Sequence, residues 1–348
     1  MTMPPSHRWT RRGLLGAAAA LLSACSRRGS QTETPSPSAP PATSSGTATP
    51  SQSSSSARAT PTPSPTPTAT ASIADVLRPG VVNVLFLGND SRTDNWSGRP
   101  DVIMVAQLSA DRTKLAVVSI PRDTFVSYAG GGSGKINAAQ TRGGTAGMVK
   151  TVSALFGGLQ IHYVAQTGFA GFIAITRWLK GITVTNRHAT TAKVISTGRV
   201  VFFKKGRITL EGTDGLIYAR ERKTLPLGDL DRAERHRALL QGMISRLKQH
   251  AATEPTQLPM LLRMLLKNTK VSGGISEQNV LGLLPALRRV DERTMISLQV
   301  PIQGFAMVNG ASVNRVNAAR MRALGEAMRT ADPAAYVKQY GQGYAPGA

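Results

Sequence analysis

The sequence is poor in the residues from which many reactive sites are built. Of 348 residues, one is cysteine, five are histidine and 19 are acidic, and aromatic residues make up 5%. The single cysteine, Cys25, can form no intramolecular disulfide, zinc knuckle or Cys-x-x-Cys redox pair. The histidines stand at positions 7, 162, 188, 236 and 250, so no two have the His-x-x-x-His spacing of a zincin helix. No apolar run is of the length that a polytopic membrane protein needs. The chemistry that remains is that of carboxylates, arginines, hydroxyls and backbone amides.

Positive charge, by contrast, is abundant: 42 Lys+Arg give a formal net charge of +23. Such an excess suits nucleic acid, anionic lipid or a phosphorylated substrate, and the N-terminus narrows the choice. Residues 8–25 run from basic Arg8, Arg11 and Arg12 through a short apolar stretch to Ser23-Ala24-Cys25, the pattern of an export signal. Thr10-Arg11-Arg12-Gly13-Leu14-Leu15 resembles a twin-arginine signal. Leu22-Ser23-Ala24-Cys25 resembles a bacterial lipobox, which makes residues 1–24 a signal peptide and Cys25 the expected lipidation site. A chain held at the outer face of the cytoplasmic membrane, facing the cell wall, meets no chromosomal DNA, so anionic lipid and wall polymer are the expected partners. Residues 25–72 are rich in Ser, Thr and Pro, with Pro61-Thr62-Pro63-Ser64-Pro65-Thr66-Pro67, and bury too little apolar surface to offset the entropy of ordering. They read as a disordered, extended tether.

Short apolar runs at Val81–Leu87, Val102–Leu108 and Lys114–Ile120 read as strands. A helical pattern over Gly144–Phe156, a strand over Ile161–Ala165 and a helix over Phe169–Leu179 follow. This alternation predicts a sheet covered by helices on both faces. Val200–Phe203 and Arg207–Leu210 read as a hairpin or edge pair, Thr213 as the cap of a helix through Arg222, and Asp229 as the start of a long helix to about His250. Residues 73–250 are the expected core, completed by helices and one strand in 251–348.

The polar residues at element ends carry the chemistry. Gly88-Asn89-Asp90-Ser91-Arg92 follows the first strand, and Arg99-Pro100-Asp101 opens the next run. Two carboxylates joined by substrate phosphate oxygens are a usual way to hold Mg²⁺; Asn-Asp-Ser and Pro-Asp are also ordinary turn residues, and spacing leaves both readings open. Ser119-Ile120-Pro121-Arg122-Asp123 places an arginine directly after a buried strand, where ligands gather in open α/β sheets. The loop Gly130–Gly134, which matches no Walker motif, leads to Lys135-Ile136-Asn137. On the long helix, the apolar stripe of Leu239, Leu240, Met243, Ile244 and Leu247 extends back to Asp229, Arg232 and His236, with Arg235 at its edge. Arg220 falls on the core side of the preceding helix. Charges there are costly unless paired or lining a cavity. A self-contained ion network is one solution; binding of an anion by the surplus guanidinium groups is the other.

Leu87-Gly88-Asn89-Asp90-Ser91-Arg92, Arg99-Pro100-Asp101, Ser119-Ile120-Pro121-Arg122-Asp123, Lys135-Ile136-Asn137, Tyr218-Ala219-Arg220-Glu221-Arg222 and Asp229-Leu230-Asp231-Arg232-Ala233-Glu234-Arg235 occur in this order. Together they resemble the LytR-CpsA-Psr family over about residues 81–250. The resemblance implies a three-layer αβα sandwich around a mixed sheet, with an apolar pocket for a polyprenyl chain. It also implies transfer of a phosphate-linked glycopolymer from a polyprenyl-pyrophosphate carrier to a peptidoglycan sugar hydroxyl. Carried over by motif, Asp90 and Asp101 would hold Mg²⁺, and Arg99, Arg122, Arg220, Arg222, Arg232 and Arg235 would surround the pyrophosphate. Asp229 would orient those arginines, and Asp123, Asp229 or a metal-bound carboxylate would be the base. The sequence departs from the family pattern at Arg177 and Lys180, where a small acidic or amide residue and a glycine are usual, at Leu225, where Asp is usual, and at His236-Arg237, in place of a Gln pair. A tethered binding module for polyprenyl phosphate or anionic polymer, and a polyprenyl-pyrophosphate hydrolase, are the alternative functions.

Overall fold

The structure, a computed structural model, describes residues 75–90 and 98–342. The expected signal peptide, Cys25, the tether to residue 72, and Ser91 and Arg92 lie outside the described residues. In chain order the elements are β1 (Val82–Asn89), β2 (Pro100–Leu108), β3 (Leu115–Ser119), β4 (Phe125–Ser127), β5 (Ser133–Lys135), α1 (Ala138–Leu155), β6 (Tyr163–Thr167) and α2 (Phe169–Trp178). They continue as β7 (Ile182–Asn186), β8 (Thr190–Lys193), β9 (Val200–Phe203), β10 (Gly206–Leu210), α3 (Gly212–Arg220), α4 (Asp229–Thr253), α5 (Leu258–Lys267) and β11 (Thr269–Val271). The last are α6 (Leu284–Arg289), β12 (Ile296–Gln299), β13 (Ile302–Val308), β14 (Ala311–Val316), α7 (Ala318–Arg329) and α8 (Pro333–Tyr340).

Six strands form the central sheet in the order β11-β6-β1-β2-β3-β12. β1 runs parallel to β6 and β3 parallel to β12, while β2 is antiparallel to both β1 and β3, and β11 to β6. The sheet is therefore mixed, and its two edge strands come from residues beyond 250. Because successive side chains alternate between faces, Leu85, Leu87, Ile103, Val105 and Val118 pack on one face against Met148 and Val152 of α1 and Met321 and Leu324 of α7. Met104, Ala106 and Val117 pack on the other, against Leu240 and Ile244 of α4. Helices thus cover both faces. A third apolar core gathers α2, α4 and α5 with β7 to β10. All these elements belong to one compact unit, residues 69–348.

Several local expectations differ from the structure, beginning with residues 251–342, which hold four strands, β11 to β14, where one was expected. Val200–Phe203 and Arg207–Leu210 do not pair with each other: β9 pairs with β8 and β10 with β7. The Lys204-Lys205-Gly206 segment is thus a crossing between two ribbons, with Asn186 Nδ2 donating to the carbonyls of His188 and Lys204, both at 2.8 Å, across the crossing. α3 begins at Gly212, with Glu211 at its N-cap and no side-chain cap, so Thr213 does not close it; the helix ends at Arg220 rather than Arg222. Gly212, at φ 53°, makes the turn into the helix that an L side chain resists.

Candidate active site

The four parallel strands β1, β3, β6 and β12 end at one edge of the sheet, and the antiparallel β2 begins there. Asp90 follows β1, Asp101 opens β2, Arg122 follows β3 and Phe169 follows β6. The first turn of α4 adds Asp229 and Arg232. Acidic residues in that turn suit the positive end of the helix dipole.

Arg122 is the centre of the cluster. Its Nη1 donates to Asp101 Oδ1 at 2.7 Å, and its Nε lies 3.3 Å from Asp229 Oδ2 and 3.6 Å from Asp123 Oδ2. Asp229 Oδ1 also receives Arg232 Nη2 at 3.3 Å and Arg222 Nη1 at 3.5 Å, while Lys135 Nζ holds Asp123 Oδ1 at 2.7 Å. Asp101, Arg122, Asp229, Arg232 and His236 line one shallow cleft that opens to solvent. At the same sheet edge, Arg220 lies over the Phe169 ring at 4.5 Å and reaches Asp90 Oδ2 at 3.5 Å. Arg220 is half exposed, not turned to the core as its helical position suggests, because the Phe169 face holds it outward by a cation–π contact. Arg99 is exposed, with no ion-pair partner among the described residues.

The electrostatics separate the two arginines that share Asp229. Burial pulls the Arg122 guanidinium down, but the hydrogen bond to Asp101 and the charges of Asp101, Asp229 and Asp123 outweigh it and leave its pKa raised. Arg232 is more deeply buried, and burial lowers it; Asp229 offsets this only in part because Arg122 repels. His236 is pushed down to about 4 by burial and by Arg232. It is therefore neutral at pH 7, with Nε2–H donating to the Ala219 carbonyl at 2.8 Å and Nδ1 left as an acceptor. Among the described residues, five cations (Arg122, Lys135, Arg220, Arg222 and Arg232) pair with four carboxylates (Asp90, Asp101, Asp123 and Asp229) at this edge, and Arg99 adds a sixth cation outside the pairs. The surplus is positive, which is what a pyrophosphate requires.

Arg235 stands apart from the others. It is 4% exposed, stacks over the Tyr218 ring at 4.1 Å and donates to Thr190 Oγ1 at 2.8 Å and to the carbonyl oxygens of Tyr218 and His188 at 3.3 Å. It lines a second cleft with His188, Asp231 and Glu234. The i,i+3 step from Arg232 to Arg235 turns the side chain by about 60°, enough to leave the first cleft for the second. His188, Asp231 and Glu234 are the one group of three metal-type side chains found among the described residues, and Arg187 Nε already holds Glu234 at 2.9 Å. Sequence reasoning assigned no role to Lys135, to Phe169 or to the lone pair of His236; Lys135 carried a signal, since Lys135-Ile136-Asn137 was part of the motif order.

The donor set at Asp90 and Asp101 is compatible with Mg²⁺. Both offer only oxygen, and Asn89, which precedes Asp90 and lies opposite Pro100 in the register, carries a buried Oδ1 without a hydrogen-bond partner.

A model of the LytR_cpsA_psr family matches residues 45–330. Polyisoprenyl-teichoic acid–peptidoglycan teichoic acid transferase TagU of Bacillus cereus is 38% identical over 192 residues, 55% of this chain and 60% of TagU. Cell wall biosynthesis protein LcpA of Corynebacterium glutamicum is 26% identical over 300 residues, 71% of this chain and 56% of LcpA. The chain thus spans a little over half the length of these curated relatives. The crystal structure of B. subtilis TagV superposes with a TM-score of 0.63 at 25% identity, covering 74% of this chain and 98% of TagV. A structure of TagT bound to LIIa-WTA gives 0.57 at 25% identity, covering 72% and 90%. With the motif order, the mixed sheet and the arginine-rich strand ends already in place, the match over most of the folded unit means that this chain belongs to the LytR-CpsA-Psr family.

Proposed function

We propose that the chain transfers a phosphate-linked glycopolymer from a polyprenyl-pyrophosphate carrier to a sugar hydroxyl of peptidoglycan, at the outer face of the membrane. The observation that carries this reading is the Asp101–Arg122–Asp229–Arg232 network at the ends of parallel strands. It fixes two guanidinium groups in the cleft, Arg122 partly exposed and Arg232 buried beneath it, both held by Asp229. The relatives support it: TagU is named as a transferase that joins teichoic acid to peptidoglycan.

In this reaction the acceptor hydroxyl oxygen attacks the phosphorus bonded to the glycopolymer, and the hydroxyl proton passes to a carboxylate of the cleft. The bond from that phosphorus to the bridging oxygen breaks, and polyprenyl monophosphate leaves with the electron pair. Catalysis is then in-line positioning together with neutralisation of charge on the departing phosphate. Arg122 and Arg232, held by Asp229, face the pyrophosphate from the cleft; Arg220, Arg222 and Arg99 close on it from the rim. Asp90 and Asp101 would hold Mg²⁺, which when bound supplies further charge neutralisation on phosphate oxygens. Asp123 and Asp229 each engage two or more cations, so their first role is to position arginines. Arg235, satisfied by carbonyl and hydroxyl oxygens, supports the α4–β8 junction instead.

The test is reconstitution of residues 69–348 with polyprenyl-pyrophosphate-linked saccharide, Mg²⁺ and a peptidoglycan oligomer, read by mass. A phosphodiester-linked saccharide on the acceptor is expected, with Arg122→Ala slower by about 10²–10³-fold. Intact donor retained by the protein would make the chain a binder. Free saccharide phosphate with unmodified acceptor would make it a hydrolase.

A further inference from the structure

The β8–β9 hairpin carries apolar side chains on both of its faces. Ala192, Val201 and Phe203 point inward and join the core beneath. On the outward face Thr191 pairs with Phe202 and Lys193 with Val200. Val200 is 61% exposed, Phe202 66% and Ile195, in the connecting turn, 92%. A solvated sheet face ordinarily alternates to polar residues at such positions, and three large apolar side chains grouped on one hairpin mark a contact surface.

Charge surrounds this group. From Arg187 to Leu210 the chain has six Lys+Arg and no Asp or Glu. Arg199 meets Asp214 at 2.7 Å, but Lys193, Lys204, Lys205 and Arg207 have no acidic partner among the described residues. A second copy of the hairpin would bring like charge. The chain's own Ser/Thr/Pro segment at 26–72 has a single acid, Glu33, and no long apolar run to offer. An anionic polysaccharide would answer the lysines and leave Ile195, Val200 and Phe202 in water. An interface of anionic headgroups over acyl chains satisfies both sets.

We propose that the β8–β9 hairpin docks on an anionic phospholipid surface, with Ile195, Val200 and Phe202 entering the interface and Lys193, Lys204 and Lys205 meeting phosphate headgroups. This contact is non-covalent and made by the folded unit, distinct both from acylation at Cys25 and from the Arg122 cleft.

Residues 69–348 contain all the described elements and no cysteine, so Phe202→Cys gives a single labelling site. Sedimentation with vesicles of equal phosphatidylglycerol and phosphatidylcholine, beside pure phosphatidylcholine, tests the docking. The wild-type unit is expected to bind the mixed vesicles and not the neutral ones. An Ile195→Ser/Val200→Ser/Phe202→Ser variant is expected to bind at least about tenfold more weakly. Lys193→Ala, Lys204→Ala and Lys205→Ala should each cost about fivefold. An environment-sensitive fluorophore on Phe202→Cys should shift to the blue on the mixed vesicles. Equal thermal midpoints for all variants show that the fold is kept. No vesicle binding, or equal binding by the serine variant with an unshifted fluorophore, overturns the proposal. So does capture of soluble poly(glycerol phosphate) in place of vesicles, which assigns the patch to polymer.

Discussion

Asp229 receives three guanidinium groups, so substitutions of Arg122, Arg222 and Arg232 act through one shared carboxylate. Residues in one ion network are not additive. In Asp229→Asn, further loss of Arg122 should therefore cost less than it does alone, a coupling of about 0.5–3 kcal/mol in the transfer rate that a double-mutant cycle measures. His236 gives a prediction with a sign. The unfolded imidazole titrates near 6.5 and the folded one near 4, so between these values the unfolded chain binds the extra proton. This contribution is fully present above pH 6.5 and is lost as pH falls toward 4, by on the order of 3 kcal/mol. Urea midpoints at several pH values should fall more steeply for the native chain than for His236→Gln. Lys180 stands at φ 54°, the left-handed conformation, where the family pattern has glycine. Its ion pair with Glu254, 3.7 Å away, is exposed and contributes little. Lys180→Gly should raise stability by about 0.5–1 kcal/mol in denaturant melts. Helical periodicity made Asp229 and Arg232 legible from the sequence as facing one place. It could not show that Arg235 leaves that place, because its partners, Thr190 and the His188 carbonyl, come from a ribbon far away in the chain.

Among the elements, the first three strands, the helix after β6 and the long α4 were legible because each carries an uninterrupted apolar pattern. The β9 and β10 runs were legible as strands but not in their pairing. Two ribbons interleaved in the chain look, in sequence, like one hairpin, and only tertiary packing separates them. α4 sits unusually close to β7. A Cβ at Gly242 would lie 2.6 Å from the Thr183 carbonyl oxygen and 3.3 Å from Val184 Cγ1. Gly242→Ala should improve helix propensity by about 1 kcal/mol and yet destabilise the protein, since overpacking against a backbone oxygen costs about 1–3 kcal/mol. A lowered thermal midpoint checks this.

For the whole molecule, residues 251–342 are structural partners of the motif-bearing part. They supply both edge strands of the central sheet, and α7 and α8 place Met321, Leu324, Met328 and Tyr336 in the first core. A chain ended at His250 should be insoluble, exposing β6 and β3 edges and an uncovered apolar face, as soluble yield would show. The edge-strand role was not legible, because a three-residue strand such as β11 has no period to detect. At the sheet edge opposite the arginine cluster, Arg112 is 3% exposed in the turn between β2 and β3. It ties down the incoming chain through Asp75 at 3.0 Å and the carbonyls of Gly80 and Arg78 at 2.7 and 2.6 Å. From there β1 runs about 23 Å to the cleft. The chain thus enters the fold at the pole opposite its reactive face, so on the proposed reading any hold exerted through Asp75 would pull from behind the cleft and leave the arginines on the far side.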